Sequence, residues 1–365
     1  MSRLEKLELH WSKNDDLSVD VGEHRLMIRI GIVGYGHWGP NHVRVINECK
    51  DARVVMVGDL DASRRAAASQ AHPGLVTTEL PEEVVTSPNI DAVIVSTPVV
   101  THHSIAMSAL NAGKHVLVEK PLCQTTHEAD ELVALSRQQD RVLMCGHVFL
   151  FNAGVRRLRE YIYDDVIGTV RYMAATRTNL GPFRTDVNVL YDLACHDISF
   201  FSFLLGALPE SGNAVASSFL QPGIEDVVFG SLKYPGGALC HFHDSWVNPR
   251  KERTLVVVGD KKMVVWDDMN SLEPIRLYDK GVQHDQYYDT FSEFRTQIRD
   301  GDVLIPRVNQ CEPLKAQDHH FVECIRDGMT PLSGGQEARE VVKILETLQR
   351  SIKNEGRQEV LHWDV

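Results

Sequence analysis

Three side chains in this sequence have the types and spacing to move a proton and steady the charge it leaves behind. Lys120 closes the run Val116-Leu117-Val118-Glu119-Lys120-Pro121. The apolar residues of that run read as a short buried strand, and the ring of Pro121 ends it and holds Lys120 extended. Lys120 then stands at the carboxyl end of a strand, the edge at which open α/β sheets bind ligands. Asp192 and His196 lie four apart in a helical pattern, so they are expected on one face. A carboxylate beside an imidazole raises its basicity and fixes its orientation, which suits removal of a proton from an alcohol. A lysine at the same oxygen would stabilise the developing charge. The plain counterparts of these readings are a salt-bridged strand end and a surface Asp–His pair at a helix start.

The elements that would position such a site begin at residues 27–33, a buried strand running into Gly34-Tyr35-Gly36-His37-Trp38-Gly39 and then a helical pattern over 40–49. Strand, G-x-G-x-x-G and helix in that order is the setting of a dinucleotide fingerprint. Gly34 permits the tight turn, Gly36 lets the backbone approach a pyrophosphate, and Gly39 lets helix and strand pack closely. The helix start, with His37 and Trp38 in its turn, offers free N–H groups to the phosphates. A second strand over 53–58 ends at Asp59, 25 residues after Gly34, close to the roughly 20 expected of the acid that takes the adenosine ribose hydroxyls. Its charge repels a 2′-phosphate, so NAD is expected over NADP. Asp61 is the nearby competitor, and Arg64 and Arg65 are placed on the solvent face of a helix over 62–71. The strand over 90–96 ends in Thr97-Pro98, and His102-His103 open a helix to about 112. Thr97, Pro98 and His102 are expected to line the cofactor, with Glu119 at its nicotinamide-side ribose.

Alternation of strands and helices continues through a helix over 126–138 and a strand over 142–145, which makes a doubly wound parallel sheet. After Gly146-His147 the pattern changes. A helix over 151–163 is followed by strands over 170–178, 213–220, 227–234, 238–246, 254–259, 262–266 and 274–278, with turns such as Pro235-Gly236-Gly237 between them. Strands in quick succession mean a large, mostly antiparallel open sheet. Helices are expected at 287–299, 314–327 and 336–353. Between the first two strands of this half lies a helix that Asn188 can cap and Gly206 can end, with Leu190, Ala194, Ile198, Phe201 and Leu205 as its buried stripe. The fold class is therefore α/β. Residues 1–26 form an N-terminal extension, 27–147 a Rossmann domain that binds NAD, and 148–365 an α/β domain for substrate and oligomerisation.

Composition bounds the partners. The 365 residues carry 38 basic and 50 acidic side chains, a net charge of -12. That argues against nucleic acid and acidic membrane surfaces, which need a basic face. No apolar run nears the roughly 18 residues of a membrane span, and the first 25 residues have neither the apolar core of a secretory signal nor the acid-poor composition of a transit peptide. Seven cysteines without a Cys-x-x-Cys pair read as reduced thiols of a cytoplasmic protein. His241 and His243 share a strand face beside Asp244, but no third ligand at metal spacing accompanies them, so no metal is assigned. Arg177, Asn179, Arg184 and Asn188 cluster before the Asp192 helix, where they either bind a phosphate or carboxylate of the substrate or pair with nearby acids.

Taken in order, Gly-Tyr-Gly-His-Trp-Gly-Pro (34–40), Ser-Thr-Pro (96–98), Glu-Lys-Pro (119–121) and Asp-x-x-x-His (192–196) resemble the glucose–fructose oxidoreductase/inositol 2-dehydrogenase family (Gfo/Idh/MocA), from about Arg29 to Val360. The resemblance implies a Rossmann domain, a C-terminal α/β domain with an open sheet, and NAD(P)-dependent oxidation or reduction of a sugar or cyclitol carbon. It places catalysis on Lys120, Asp192 and His196. Gly146-His-Val-Phe-Leu-Phe-Asn152, Tyr191 to Asp197, His243-Asp-Ser-Trp246 and Lys262 to Asp268 are similar to nucleotide-sugar members such as dehydrogenases of C3 in UDP-linked N-acetylglucosaminuronic acid, although Cys195 stands where those members have proline. The expected activity is hydride transfer at a ring carbon, C3 by this likeness, of a nucleotide-linked sugar. The runner-up is a free inositol, aminocyclitol or sugar, and a reading of another class is a catalytically silent NAD-binding regulator. His196 oriented by Asp192 is the expected base, with Lys120, its pKa lowered by burial, as the alternative. The open sheet has more face than the helices can cover, so a homodimer or homotetramer is expected.

Overall fold

The computed structural model describes residues 27–284, 296–309 and 311–363. Six short strands come first: β1 (Ile28–Val33), β2 (Ala52–Gly58), β3 (Val76–Thr78), β4 (Ala92–Val95), β5 (His115–Val118) and β6 (Leu143–Cys145). They form one parallel sheet in the order β3-β2-β1-β4-β5-β6. Helices α1 (Gly39–Asn47), α2 (Ala62–Ala71), α3 (Pro81–Thr86), α4 (His102–Asn111) and α5 (Thr126–Gln138) make the crossovers. β4 and the apolar residues of β5 are wholly buried, as central parallel strands covered on both faces must be. Local signals set the helix starts. Asp61 accepts the Ser63 and Arg64 N–H groups, and Thr125 with Glu128 forms a reciprocal capping box. The strand order reverses between β1 and β4, so the loop after β1 opens on the crevice where such sheets bind ligands. The short β3 and α3 were not expected from the sequence.

The second sheet follows α6 (Ala153–Tyr163). It is built from β7 (Val170–Leu180), β8 (Ser211–Ser217), β9 (Val227–Lys233), β10 (Leu239–Ser245), β11 (Val247–Gly259), β12 (Met263–Asp267), β13 (Ile275–His284), β14 (Thr296–Leu304) and the late β15 (Glu359–Val360). Its order is β14-β13-β12-β11-β7-β10-β9-β8-β15, antiparallel throughout except for β10 beside β7. Helix α7 (Cys195–Leu205), preceded by a π-helical turn at Leu190–Ala194, lies between this sheet and α6. Gly206 ends α7 in the left-handed conformation (φ 61°), as the sequence predicts. The expected single buried stripe is a correction. Cys195, His196, Asp197, Phe200 and Leu204 are buried as well, because the sheet, α6 and the late helix α9 (Gly335–Lys353) surround α7.

The expected helix over 287–299 is a second correction. Residues 285–295 lie outside the described residues, and Thr296–Leu304 is strand β14. Cross-strand pairing such as Val282 with Ile298 decides that stretch rather than its own periodicity. The remaining helix α8 (Pro313–Asp327) packs on α1, and α9 packs on α5 as well as on β8. Ser333 adds two hydrogen bonds to Cys145 at the end of β6. The C-terminal helices therefore return to the first sheet and tie the two sheets together. The outer face of the second sheet, with Tyr172, Val215, Phe229 and Leu239 exposed, is covered by no helix among the described residues.

Candidate active site

Lys120 leaves the end of β5 through a cis bond to Pro121 and reaches into the second half of the chain. Its Nζ donates to the Asp192 backbone carbonyl (2.7 Å) and to Asp192 Oδ1 (3.0 Å). Asp192 Oδ2 accepts the Trp246 indole N–H (3.1 Å), and Arg184 Nη1 adds a contact to Oδ1 (3.3 Å). Asp192 is 9% exposed and His196 is 7% exposed, so neither belongs to a surface pair. Nor is the carboxylate bonded to the imidazole: His196 Nδ1 is buried without a partner. This corrects the expected Asp192–His196 pair. The π-helical turn at 190–194 abandons the spacing that places residues four apart on one face, and Lys120 claims the carboxylate.

The charges follow from this arrangement. Burial pulls the Lys120 ammonium toward neutrality, but Asp192, Cys195 and Glu119 outweigh it and the net direction is up, so Lys120 is a cation. The expectation that burial lowers Lys120 is thus corrected. His196 moves the other way: burial, then Lys120 and Arg177, hold it well below the ordinary histidine range, and its ring is neutral. Phe149 fixes the ring from the side in an edge contact (4.9 Å).

A cavity of ≈ 580 Å³ opens beside His196 and Asp192. Its lining includes His37 and Trp38 of the glycine-rich segment, Asn41 of α1, and Lys251, Arg253, Trp266 and Asp268, with Arg253 donating to Asp268 (3.3 Å). Arg177 and Asn179 also face it, Arg177 with its guanidinium bound twice to Asp197 Oδ1 (3.0 and 2.7 Å) and stacked on Phe149 (4.2 Å). Asn179 Nδ2 holds the Gly181 carbonyl (2.7 Å). Arg184 is spent on Asp186 and Asp192. Asn188 is outside the cavity; its Oδ1 accepts the Tyr191 N–H and its amide donates to Glu225 and Gln349. Lys251, Arg253 and Trp246 were not among the expected site residues: the first two lie on a long strand with nothing in their spacing to mark them, and Trp246 entered only as the end of His243-Asp-Ser-Trp246.

The residues at the first sheet fit a dinucleotide. Gly34 (φ 98°) has no room for a side chain, since a Cβ would meet the Ser96 carbonyl at 2.5 Å, and a Cβ on Gly39 would meet the Gly34 carbonyl at 2.3 Å. These two glycines let the turn close under α1; Pro40 has no N–H and the Asn41 and His42 N–H groups donate to the Trp38 carbonyl, so a diphosphate would be met by the backbone of the turn, Gly36 to Gly39. Asp59 is buried at the end of β2 and accepts the Tyr35 N–H (2.6 Å) and the Asp61 N–H (2.8 Å), which aims its carboxylate. Arg64 is exposed on its helix, as expected. It reaches back to 3.7 Å from Asp59 and 3.6 Å from the position of a Cβ on Gly36. Thr97 and the exposed Pro98 border the turn after β4. His102 departs from the expected lining role: it is buried, and its nitrogens brace the Thr97 and Pro121 carbonyls (2.9 Å each). Glu119 is buried too, held by His42 (3.1 Å) and by the Lys120 N–H (3.2 Å). His241 and His243 lie on the outer sheet face, the latter stacked on Phe229 (4.4 Å), and no metal-binding group of three occurs among the described residues.

Comparison with known proteins decides the family. Residues 28–147 match the model of an oxidoreductase family with an NAD-binding Rossmann fold, GFO_IDH_MocA, and residues 155–265 match the GFO/IDH/MocA C-terminal domain. The chain belongs to the GFO/IDH/MocA family. It is thus an NAD-binding oxidoreductase, with NAD as its cofactor. Among its relatives is UDP-N-acetylglucosamine 3-dehydrogenase of Acidithiobacillus ferrooxidans, 31% identical over 258 residues that cover 70% of this chain and 78% of that one. Inositol 2-dehydrogenase 2 of Paenarthrobacter aurescens is 31% identical over 223 residues, 58% of this chain and 67% of that one. The crystal structure of GenD2 from gentamicin A biosynthesis, in complex with NAD, shares the fold with a TM-score of 0.78 at 23% identity, over 95% of this chain and 100% of that one. None of the described helices is long and apolar enough to cross a membrane.

Proposed function

We propose that this family member oxidises or reduces a ring carbon of a nucleotide-linked sugar, C3 in particular. The observation that carries the reading is the cavity itself. It is lined by His196 and Asp192, by His37 and Trp38 of the glycine-rich segment, and by Lys251 and Arg253, of which Arg253 is paired with Asp268 (3.3 Å). A space of this size suits a ligand larger than one sugar ring, and an anion such as a diphosphate or a uronate carboxylate suits Lys251, with the partly exposed Arg253 beside it. Arg177 and Arg184, first candidates for that anion, are already neutralised by Asp197, Asp186 and Asp192. The name of the A. ferrooxidans relative points to the same carbon and substrate class. A free inositol, aminocyclitol or sugar is the second reading, favoured by the inositol dehydrogenase relative.

NAD(H), held by the residues at the first sheet, would supply hydride exchange with the substrate carbon. The neutral His196 takes the hydroxyl proton in oxidation and returns it in reduction. Lys120, kept cationic by Asp192, binds the same oxygen and stabilises its negative charge. Asp192 orients Lys120 rather than His196. Residues 27–147 hold the cofactor and 148–365 the substrate, and the chain works in the cytoplasm. Its uncovered sheet face, carrying Tyr172, Phe229 and Leu239, packs against a second copy in a homodimer or homotetramer.

A panel tests the reading: UDP- and dTDP-sugars, including UDP-N-acetylglucosaminuronic acid, against free inositols and hexoses, followed by NADH absorbance. Turnover of a nucleotide sugar, with a raised KM in Lys251→Ala and Arg253→Ala, is expected. Turnover of inositol alone would transfer the function to the second reading. NADH binding with no turnover of any panel member would favour a silent regulator.

A further inference from the structure

A row of alternating charges crosses the site. Asp318 Oδ2 on α8 faces His42 Nδ1 on α1 (2.8 Å), and His42 Nε2 faces Glu119 Oε1 (3.1 Å). Glu119 Oε2 accepts the Lys120 backbone N–H (3.2 Å), and the Lys120 ammonium meets Asp192. His42 and Asp318 are each 0% exposed, more deeply buried than any residue given a catalytic role above. Ionised carboxylates only accept hydrogen bonds, so a ring between two of them must carry hydrogen on both nitrogens. Burial opposes that charge, but Asp318 and Glu119 outweigh it and raise His42 to about 10. Gly146 leaves room for Glu119, since a Cβ there would lie 3.0 Å from Oε1. Glu119 is thus held by His42 and by the Lys120 N–H, one residue before Lys120 and at the carboxyl end of β5.

We propose that His42 and Asp318 are positioning residues, a buried histidinium–carboxylate clamp that holds Glu119, and through it Lys120, in the arrangement that receives the nicotinamide end of the cofactor. The proposal rests on the placement of Lys120 at that end in the function proposed above. His42 touches neither the cavity nor Lys120 itself. Lys120 is faced by Glu119, Asp192 and Cys195, with His147 and His196 close by, and Glu119 alone of these is bonded to His42. Without the histidinium, Glu119 is a buried anion with its compensation removed. It then either takes up a proton or draws on the Lys120 ammonium, and both outcomes disturb the cofactor-facing end of β5. The span from α8 to β5 also gives the C-terminal helices a functional reason to return to the first sheet.

The test is a double-mutant cycle read by NADH fluorescence titration, which requires no substrate. His42→Gln is expected to raise the NADH Kd by about tenfold or more, the size of one lost charge-assisted contact. Asp318→Asn should shift it in the same direction. In a Glu119→Gln background the further effect of His42→Gln on the NADH Kd should vanish, because no carboxylate remains beside Lys120 for His42 to hold. An equal cost of His42→Gln in both backgrounds would make His42 a packing residue and overturn the proposal. Nitrogen-15 NMR of the parent protein guards against variants that do not fold. The His42 ring should stay doubly protonated well above the ordinary histidine range, and a ring that titrates within that range would overturn the clamp on its own. Absence of turnover with every sugar tested would defeat the proposed function but leave both of these measurements standing.

Discussion

Lys120 Nζ lies 3.0 Å from Asp192 Oδ1 and 2.7 Å from the carbonyl of the same residue, so the carboxylate of the Asp-x-x-x-His motif serves the lysine and not the histidine. The pairing joins the carboxyl end of β5 to the turn that opens α7. It also separates the charges: a cationic lysine held by an anion, and a neutral imidazole four residues further along.

This makes Asp192→Asn informative. Asp192 raises the Lys120 pKa, so its loss should lower it. If protonated Lys120 is needed, the alkaline limb of the kcat/KM profile should move to lower pH. Turnover should fall by about tenfold or more, within the range of lost transition-state charge stabilisation. A shift of the acidic limb alone would instead assign Asp192 to His196.

Cofactor choice is expected to rest on Asp59. NAD(H) should be preferred over NADP(H) by at least about tenfold, roughly 1.4 kcal/mol, through repulsion of a 2′-phosphate. Asp59→Ser should narrow the gap, and Arg64, only 3.7 Å from that carboxylate, should then favour the phosphate. Equal affinities in the parent would remove Asp59 from this role.

Acid stability follows from two neutral imidazoles. Burial lowers His147 to about 4, and burial with Lys120 and Arg177 lowers His196 well below its ordinary value. A histidine with a depressed folded pKa contributes stability that is present above the unfolded value near 6.5 and lost as pH falls toward the folded value. Denaturant titrations should show stability dropping between about pH 6.5 and 4, by on the order of 3 kcal/mol from His147 alone. His147→Gln should flatten that slope, and an unchanged slope would place the acid sensitivity elsewhere.

Much of this architecture was legible in the sequence because local patterns agreed with the final packing. The G-x-G-x-x-G turn, the buried runs of β4 and β5 and the helix-ending Gly206 each report their own conformation. The site was less legible where long-range contacts decide. No spacing rule could show that a π-helical turn hands Asp192 to Lys120, or that Trp246, 54 residues along, completes its bonding. Arg177 looked like a ligand for phosphate because Asp197, its actual partner, is on another element. His42 sat unnoticed behind the glycine motif because its second carboxylate is 276 residues away.

Assembly can be read by sedimentation. The outer sheet face pairs apolar positions across strands, as with Leu239 beside Tyr172, and leaves them exposed in one chain. A homodimer or homotetramer is expected at micromolar concentration, and Phe229→Glu should weaken it. A monomer of 41.0 kDa in the parent would contradict the proposed interface.

The most direct test of the proposed mechanism is the turnover of His196→Ala set beside its NADH affinity. The neutral imidazole takes the proton in this account, so kcat should fall by about 100-fold or more, the usual scale for a lost general base. The NADH Kd should stay near that of the parent, because the cofactor is held by residues of the first sheet. Near-normal turnover in this variant, with any substrate of the panel, would contradict the assignment.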